Sequence, residues 1–401
     1  MNIKKIETNK FKTTQIALYL TVPLRREDAT KLALIENVLR RGSKNYPDMF
    51  EINKMLDGMY NAVLNSRVTH LGDNAVIKFG ITTINDKYTL ENETLSNKAI
   101  SMLFDIVFNP YIKDDGFKKE YVEQEKKNLI QAIESKIDDK QSYSRIRCTE
   151  EMYKDENYGT YVLGYTDEVE ALNGKVLYEK YKEVLNEARI DLVICGENLN
   201  RIEIPEVKFG ANDYKVVKEN HKIPNEEKVI KESLDINQGK LTIGVNVLGK
   251  NIYANSLYNT ILGGGANSKL FQNVREKASL AYHVSSQYIK TKDVIFIRAG
   301  IEFENFDKTV SIIKKQIQDI KDGVISDDEF NSAKELMLAS LNMIKEDANG
   351  MIEYYFSNKL FDFETEIDKH YEEIKKLTKE DVIKAAQDVS IDTIFFLEGG
   401  K

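Results

Sequence analysis

The chain has 401 residues, 42% hydrophobic and 30% charged, the balance of a globular protein too long for one ordinary core, so two or more domains are expected. A formal net charge of −8 argues against a nucleic-acid partner, because neutralising phosphates needs a basic surface. Cys148 and Cys195 are the only cysteines and give no sign of a disulfide framework. No stretch approaches the roughly 18 apolar residues of a membrane span, and the first residues lack the apolar core of a signal peptide, so a cytoplasmic location is expected.

In chain order, "QIALYLTVPL" (15–24) alternates like a strand, and "EDATKLALIENVLRRG" (27–42) reads as a helix with acids in its first turn. "DMFEINKMLDGMYN" continues as a second helix, and 62–84 reads as a hairpin turning near "GDN". Helical stretches follow near 92–108 and 114–139, then a helix over 175–188 that runs into the apolar strand "RIDLVICG" (189–196). The segment 204–232 loses periodicity, carries two of the five prolines and many charges, and reads as an interdomain linker.

After it the order repeats. "GKLTIGVNVLG" (239–249) is a strand and "IYANSLYNTILGG" (252–264) a helix. "LAYHVSSQYI" and "VIFIRAGIEF" form a hairpin, and helical stretches follow near 304–322 and 326–347. "VLYEKYKEVLNEARIDLVICG" in the first half parallels "DVIKAAQDVSIDTIFFLEGG" in the second. A repeat of half the chain is too long for a solenoid unit and implies two similarly built domains. Hairpins combined with helices favour an α+β fold, an α/β sandwich with mainly antiparallel sheet, over a parallel βαβ fold. The division expected is 1–205, a linker over 206–232, and 233–401.

The most informative stretch is "ILGGGANSKLFQNVREKASLAYHVSS" (261–286). A helix ends in three glycines, which can adopt positive φ, and Asn267 or Ser268 can cap the helix that follows. That helix delivers Arg275, and the next strand carries Tyr282. No Gly-Lys-Ser/Thr follows the glycines, so this is not a phosphate loop. Taken alone, the glycines read as a helix end and turn. Tyr282 alternates with Leu280 and Val284 and could be a core tyrosine, and Arg275 could be a surface ion-pair residue beside Glu276.

The full string resembles the C-terminal-half motif of the insulinase/pitrilysin-type peptidases, in particular the processing-peptidase branch. The matching elements are Gly263, Gly264 and Gly265, then Ser268, Lys269, Leu270-Phe271, Arg275-Glu276 and Leu280-Ala281-Tyr282. Lys269 stands where Arg is usual, and Ser279 where Gly usually precedes the Leu. The resemblance covers essentially the whole chain and implies the family's duplicated fold, a half-clam chain of two homologous insulinase-like domains. It implies that Gly263, Gly264, Gly265, Ala266, Asn267 and Ser268 bind substrate peptide. It also implies that Arg275 and Tyr282 act at a zinc site, the guanidinium on a peptide carbonyl and the phenol on the developing oxyanion.

That family's zinc site is an inverted motif, His-x-x-Glu-His, on the first helix of the N-terminal half. Helix order, and the Gly42-Ser43 after the helix, place it on "ALIEN" (33–37). The two His positions become Ala33 and Asn37, and only the base position, Glu36, keeps its acid. The third ligand falls on Ala132, in a register open by one or two residues, with Glu125 at a second acidic position. An alanine has no donor atom, and an asparagine carbonyl is a poor zinc ligand beside imidazole. His70, His221, His283 and His370 lie in no short cluster. No cofactor is therefore expected in this chain, and no proteolysis from it alone.

Two readings follow from the resemblance. In the first, the chain is the zinc-less subunit of a heterodimeric metallopeptidase. It works with an insulinase-type partner carrying His-x-x-Glu-His and zinc, on an unfolded peptide substrate, and a homodimer in isolation stays open. In the second it is a non-catalytic peptide-binding or scaffold protein of the same fold. Zinc-less bacterial members include a group named YfmF, linked to modification of elongation factor P.

Overall fold

The computed structural model describes residues 1–90, 93–211 and 213–400. The elements of the first half are β1 (Asn2–Glu7), β2 (Thr13–Pro23), α1 (Ala29–Leu39), α2 (Met49–Gly58), β3 (Val63–Leu71), β4 (Asn74–Ile84) and α3 (Leu95–Phe108). A two-residue hairpin, β5 (Ile112–Lys113) and β6 (Gly116–Phe117), leads to α4 (Lys119–Glu134), α5 (Lys140–Met152), the single turn α6 (Thr166–Val169), α7 (Gly174–Glu187) and β7 (Arg189–Gly196).

The second half runs β8 (Lys228–Leu234), β9 (Gly239–Val247), α8 (Ile252–Gly263), a π-helix (Phe271–Lys277), β10 (Ala281–Ile289) and β11 (Val294–Ile301). It closes with α9 (Phe306–Lys321), α10 (Asp327–Ile344), α11 (Ala348–Leu360), α12 (Ile367–Lys376), α13 (Lys379–Gln387) and β12 (Val389–Gly399). The aperiodic stretch thus ends in a strand. Residues 228–234 pair along β12, and their alternating charges are those of an exposed sheet edge.

Each half builds a five-stranded sheet, in the orders β1-β7-β2-β4-β3 and β10-β11-β9-β12-β8. Read from opposite ends these are the same topology. In each, the first strand of the half pairs parallel with the last, and the other pairings are antiparallel. The repeat read from helix and strand patterns is therefore a repeat of sheet order.

The chain divides into two compact units: 1–135 with 160–217 and 344–363, and 136–159 with 218–343 and 364–401. In the first unit α1, α3 and α7 bury one face of the sheet with Leu34, Leu103 and Leu177 at its core. Its other face, Ala17, Tyr19, Val76 and Val193, is covered by α11 through Ala348, Ile352, Phe356 and Leu360. The spacing of four along α11 puts these side chains on one stripe. Tyr19 and Phe356 stack with ring centroids 3.7 Å apart. In the second unit α8, α9 and α13 bury one face. The opposite face, with Phe296, Phe395 and Leu397, is covered by α5 through Tyr143, Cys148 and Met152.

Candidate functional site

α1 carries Ala33, Glu36 and Asn37 within a turn and a half. Ala33 is 1% exposed and packed in the core, Glu36 is 5% exposed, and Asn37 is half-buried. Ser66 of β3 donates its hydroxyl to Glu36. Burial lifts the Glu36 carboxyl above the usual carboxylate range, opposed by that hydroxyl and by Arg40, and the nearby charge of Glu125 pushes it the same way as burial. Glu125, buried on α4, is gripped by the Arg41 Nε and accepts from Asn128 Nδ2 at 3.1 Å. Ala132 lies two turns further along α4 and is exposed.

The structure therefore brings Glu36 and Glu125 together, and at the two positions where the resemblance leads one to expect imidazoles α1 carries a methyl group and a carboxamide. Among the described residues, no three of His, Cys, Asp and Glu gather closely enough to hold a metal ion. This donor set does not fit zinc.

The motif of the second half folds differently from its sequence reading in two respects. None of Gly263, Gly264 and Gly265 takes a positive φ. The need at Gly263 is close approach, since a Cβ there would stand 2.6 Å from Ser286 Oγ and 2.7 Å from Ser286 N on β10. And neither Asn267 nor Ser268 caps through its side chain. The Asn267 amide donates to Ser332 Oγ at 3.2 Å, while Ser268 Oγ is buried with no hydrogen-bond partner. Lys269, also buried, sits at 3.0 Å from both carboxylate oxygens of Glu329 on α10. Gly265, Ala266, Asn267 and Ser268 line a cavity of about 390 Å³ against Ser332 and Leu336 of α10.

The segment after this loop is a π-helix, a rare form often found at functional sites. It ends with Leu280 N donating to Val274 O at 3.0 Å and Ser279 N to Arg275 O at 3.1 Å, which forces Ser279 to φ +52°. Arg275 projects from its last turn into solvent, 3.7 Å from Glu276 and 4.6 Å from the Phe271 ring centroid.

β10 then opens with a bulge between Ala281 and His283 that leaves Tyr282 out of register. A bulge re-aims a side chain, and Tyr282 is 76% exposed rather than in the core. The same bulge leaves His283 exposed beside it, with Nε2 at 3.0 Å from Ser285 Oγ. The alternation of Leu280, Tyr282 and Val284 misleads because the extra residue breaks the period of two. The sequence reading passed over Lys240 and Arg298, whose charges act on His283, and Arg145, whose charge acts on Arg298. A signal for one of them was present, a lone arginine in the apolar run "VIFIRAGI".

A family profile described as the peptidase M16 inactive domain matches residues 171–337. The chain is 33% identical over 405 residues to the probable inactive metalloprotease YmfF of Bacillus subtilis (strain 168), covering 98% of this chain and 95% of that protein. It is 25% identical to the uncharacterized zinc protease YmxG of the same organism, covering 66% of this chain and 65% of that protein. Among solved structures, a conserved protein from Enterococcus faecalis V583 superposes with a TM-score of 0.90 at 24% identity, over 99% of this chain and 96% of that one. A peptidase M16 inactive domain from Pseudomonas fluorescens does so with 0.79 at 15%, over 100% and 96%. These two likenesses concern the fold. The relative matched along the whole chain bears the name YmfF, where the sequence reading gave YfmF, and its name describes it as probably inactive. With a whole-length relative at 33% identity and no metal-holding cluster among the described residues, the chain belongs to the M16, or insulinase-type, peptidase family, as a zinc-less member of YmfF type.

Proposed function

We propose that this chain is the non-catalytic subunit of a two-chain peptidase. It would present the loop 263–268, Arg275 and Tyr282 to an unfolded peptide held at the active site of a His-x-x-Glu-His partner. The observation that carries the reading is the exposure of Tyr282. A large aromatic side chain on a strand normally buries its ring, and here a bulge and a π-helix turn Tyr282 and Arg275 into solvent. A guanidinium fork holds a peptide carbonyl through paired N–H donors. A phenol O–H stabilises charge developing on a carbonyl oxygen under attack. The hydrolytic step itself belongs to the partner.

The test is cleavage of a quenched fluorescent unfolded peptide by the mixed subunits. Arg275→Ala or Tyr282→Phe should lower turnover about 100-fold, as loss of one oxyanion donor does, with the complex still co-eluting on gel filtration. Full activity in both variants would refute the shared-site reading and leave a chain that holds peptide without helping to cut it.

A further inference from the structure

The face of the second sheet that carries α5 holds a second feature. Along β11, Ile295, Ile297, Ala299 and Ile301 enter the main core, so Phe296, Arg298 and Gly300 point to the α5 face. Arg298 is the lone charge of this strand. The register sets it between Ser285 of β10 and Thr242 of β9, and sets Gly300 between His283 and Lys240. His283, Arg298 and Lys240 thus share one face in adjacent rows, about 5 Å apart across strands and about 7 Å along them. The 3.0 Å contact of His283 with Ser285 Oγ fixes the ring on this side. Arg145 of α5 reaches the same face, 5.8 Å from the Phe296 ring centroid.

These cations are not neutralised from within. Among the described residues no acid lies within ion-pair distance of Arg145, Lys240 or Arg298, and the Arg298 Nε is buried with no hydrogen-bond acceptor. Lys240 donates to the neutral amide of Gln238 at 2.6 Å. Asp139, the nearest acid to act on Arg298 and Lys240, is engaged at the start of α5 by Gln141 N and by Ser142 N and Oγ. Burial followed by the charges of Arg298, Arg275 and Lys240 holds His283 below its ordinary pKa, and burial followed by Arg145 does the same to Arg298. Two half-buried guanidiniums with no acid among the described residues within ion-pair distance repel each other in the free protein. Gly300 itself has no side chain, and the Gln238 amide, whose Oε1 would stand 2.9 Å from a Cβ there, fills the place between His283 and Lys240.

We infer that Arg298, Arg145, Lys240 and His283 form a binding site for carboxylates, and that its occupant is an acidic peptide segment lying along β10. The site is separate from the Arg275/Tyr282 proposal, since it needs neither a partner nor cleavage.

The test is fluorescence anisotropy with a labelled Glu-rich 12-residue peptide and its Gln counterpart, using the full chain at low salt. The Glu peptide should bind at least about tenfold tighter, and the difference should shrink as salt is raised. Arg298→Gln and Lys240→Gln should each weaken binding about tenfold, while Lys308→Gln, on the far side of α9, should not. Arg298→Met should also raise the melting temperature of the free protein, which a merely structural arginine would not do. If Arg298→Gln does not fold, Lys240→Gln and His283→Gln carry the test. Equal binding of the two peptides, or unchanged affinity in the foldable variants, would overturn the site. Pyrophosphate binding tighter than the Glu peptide would overturn the peptide as its occupant.

Discussion

Glu36, the base position that the family resemblance implies, sits on α1 between Ala33 and Asn37 and is 5% exposed. The carboxyl is buried on a core helix with one hydroxyl donor, so the folded protein disfavours its ionised form. Its pKa in the fold lies above the unfolded value of about 4.3. The stability it contributes is full below that value and lost as pH rises through the folded one. Glu36→Gln should therefore melt higher than wild type at pH 8, with the gap closing toward pH 4 in a thermal-melt series. Ser279 is a second residue whose meaning came from geometry. Its φ of +52° explains why glycine is usual there in the family. Ser279→Gly should stabilise the protein by about 1 kcal/mol in urea titration, the cost of a left-handed non-glycine residue. The sequence displayed the serine as a departure, but the conformation that makes it one depends on how the π-helix ends.

Among elements, the segment 218–222 has no regular structure yet is pinned at several points. The His221 Nδ1 lies 2.5 Å from Glu156 Oε1 and its Nε2 2.9 Å from Asp392 Oδ2. Asn157 donates to Glu219 through its backbone N–H at 3.1 Å and its side chain at 2.7 Å, and Lys292 lies 3.3 Å from Glu156. Only an imidazolium can donate to both carboxylates. Burial works to lower the His221 pKa, but the hydrogen bonds to Asp392 and Glu156 and their charges together outweigh it and raise it. This contribution is full below the unfolded value of about 6.5 and disappears as pH rises through the raised one. Hydrogen exchange of 218–222, corrected for intrinsic rate, should lose protection on going from pH 6 to pH 9, and His221→Gln should flatten that dependence. Most strands and helices were legible from apolar periodicity, which α9 displays most clearly, while α1 is buried nearly all round. α5 was not, because "KQSYSRIRCTEEM" is polar apart from Tyr143, Ile146, Cys148 and Met152. No local pattern separates the π-helix from an α-helix, since both present the same side chains to the core over a few residues.

At the level of the whole molecule, the doubled architecture was readable because each half repeats its order of helices and strands. The Gly263-to-Tyr282 motif was readable because it is contiguous. The basic face of the second sheet was not, since Arg145, Lys240, His283 and Arg298 meet only once the register of β9, β10 and β11 is known. The expectation of no metal at Ala33, Glu36 and Asn37 came from residue types alone, whereas the Ser66 and Arg41 bonds that engage Glu36 and Glu125 required the fold.

The covering of the first sheet by α11 bears on how the chain comes to be made. β2 and β7 expose Ala17, Tyr19, Val193 and Cys195 on a face whose cover, Ala348 to Leu360, is translated more than 150 residues after β7 ends. The last strand, β12, is likewise the only neighbour of β8 and lies between it and β9. Neither unit can finish during synthesis of the first half, so a nascent chain carries an apolar sheet face in water until nearly all of it has left the ribosome. A fragment ending at residue 205 should accordingly aggregate or bind a hydrophobic dye when expressed alone. Supplying residues 344–363 as a separate peptide should restore solubility, and a fragment that stays monomeric without it would refute this order of assembly.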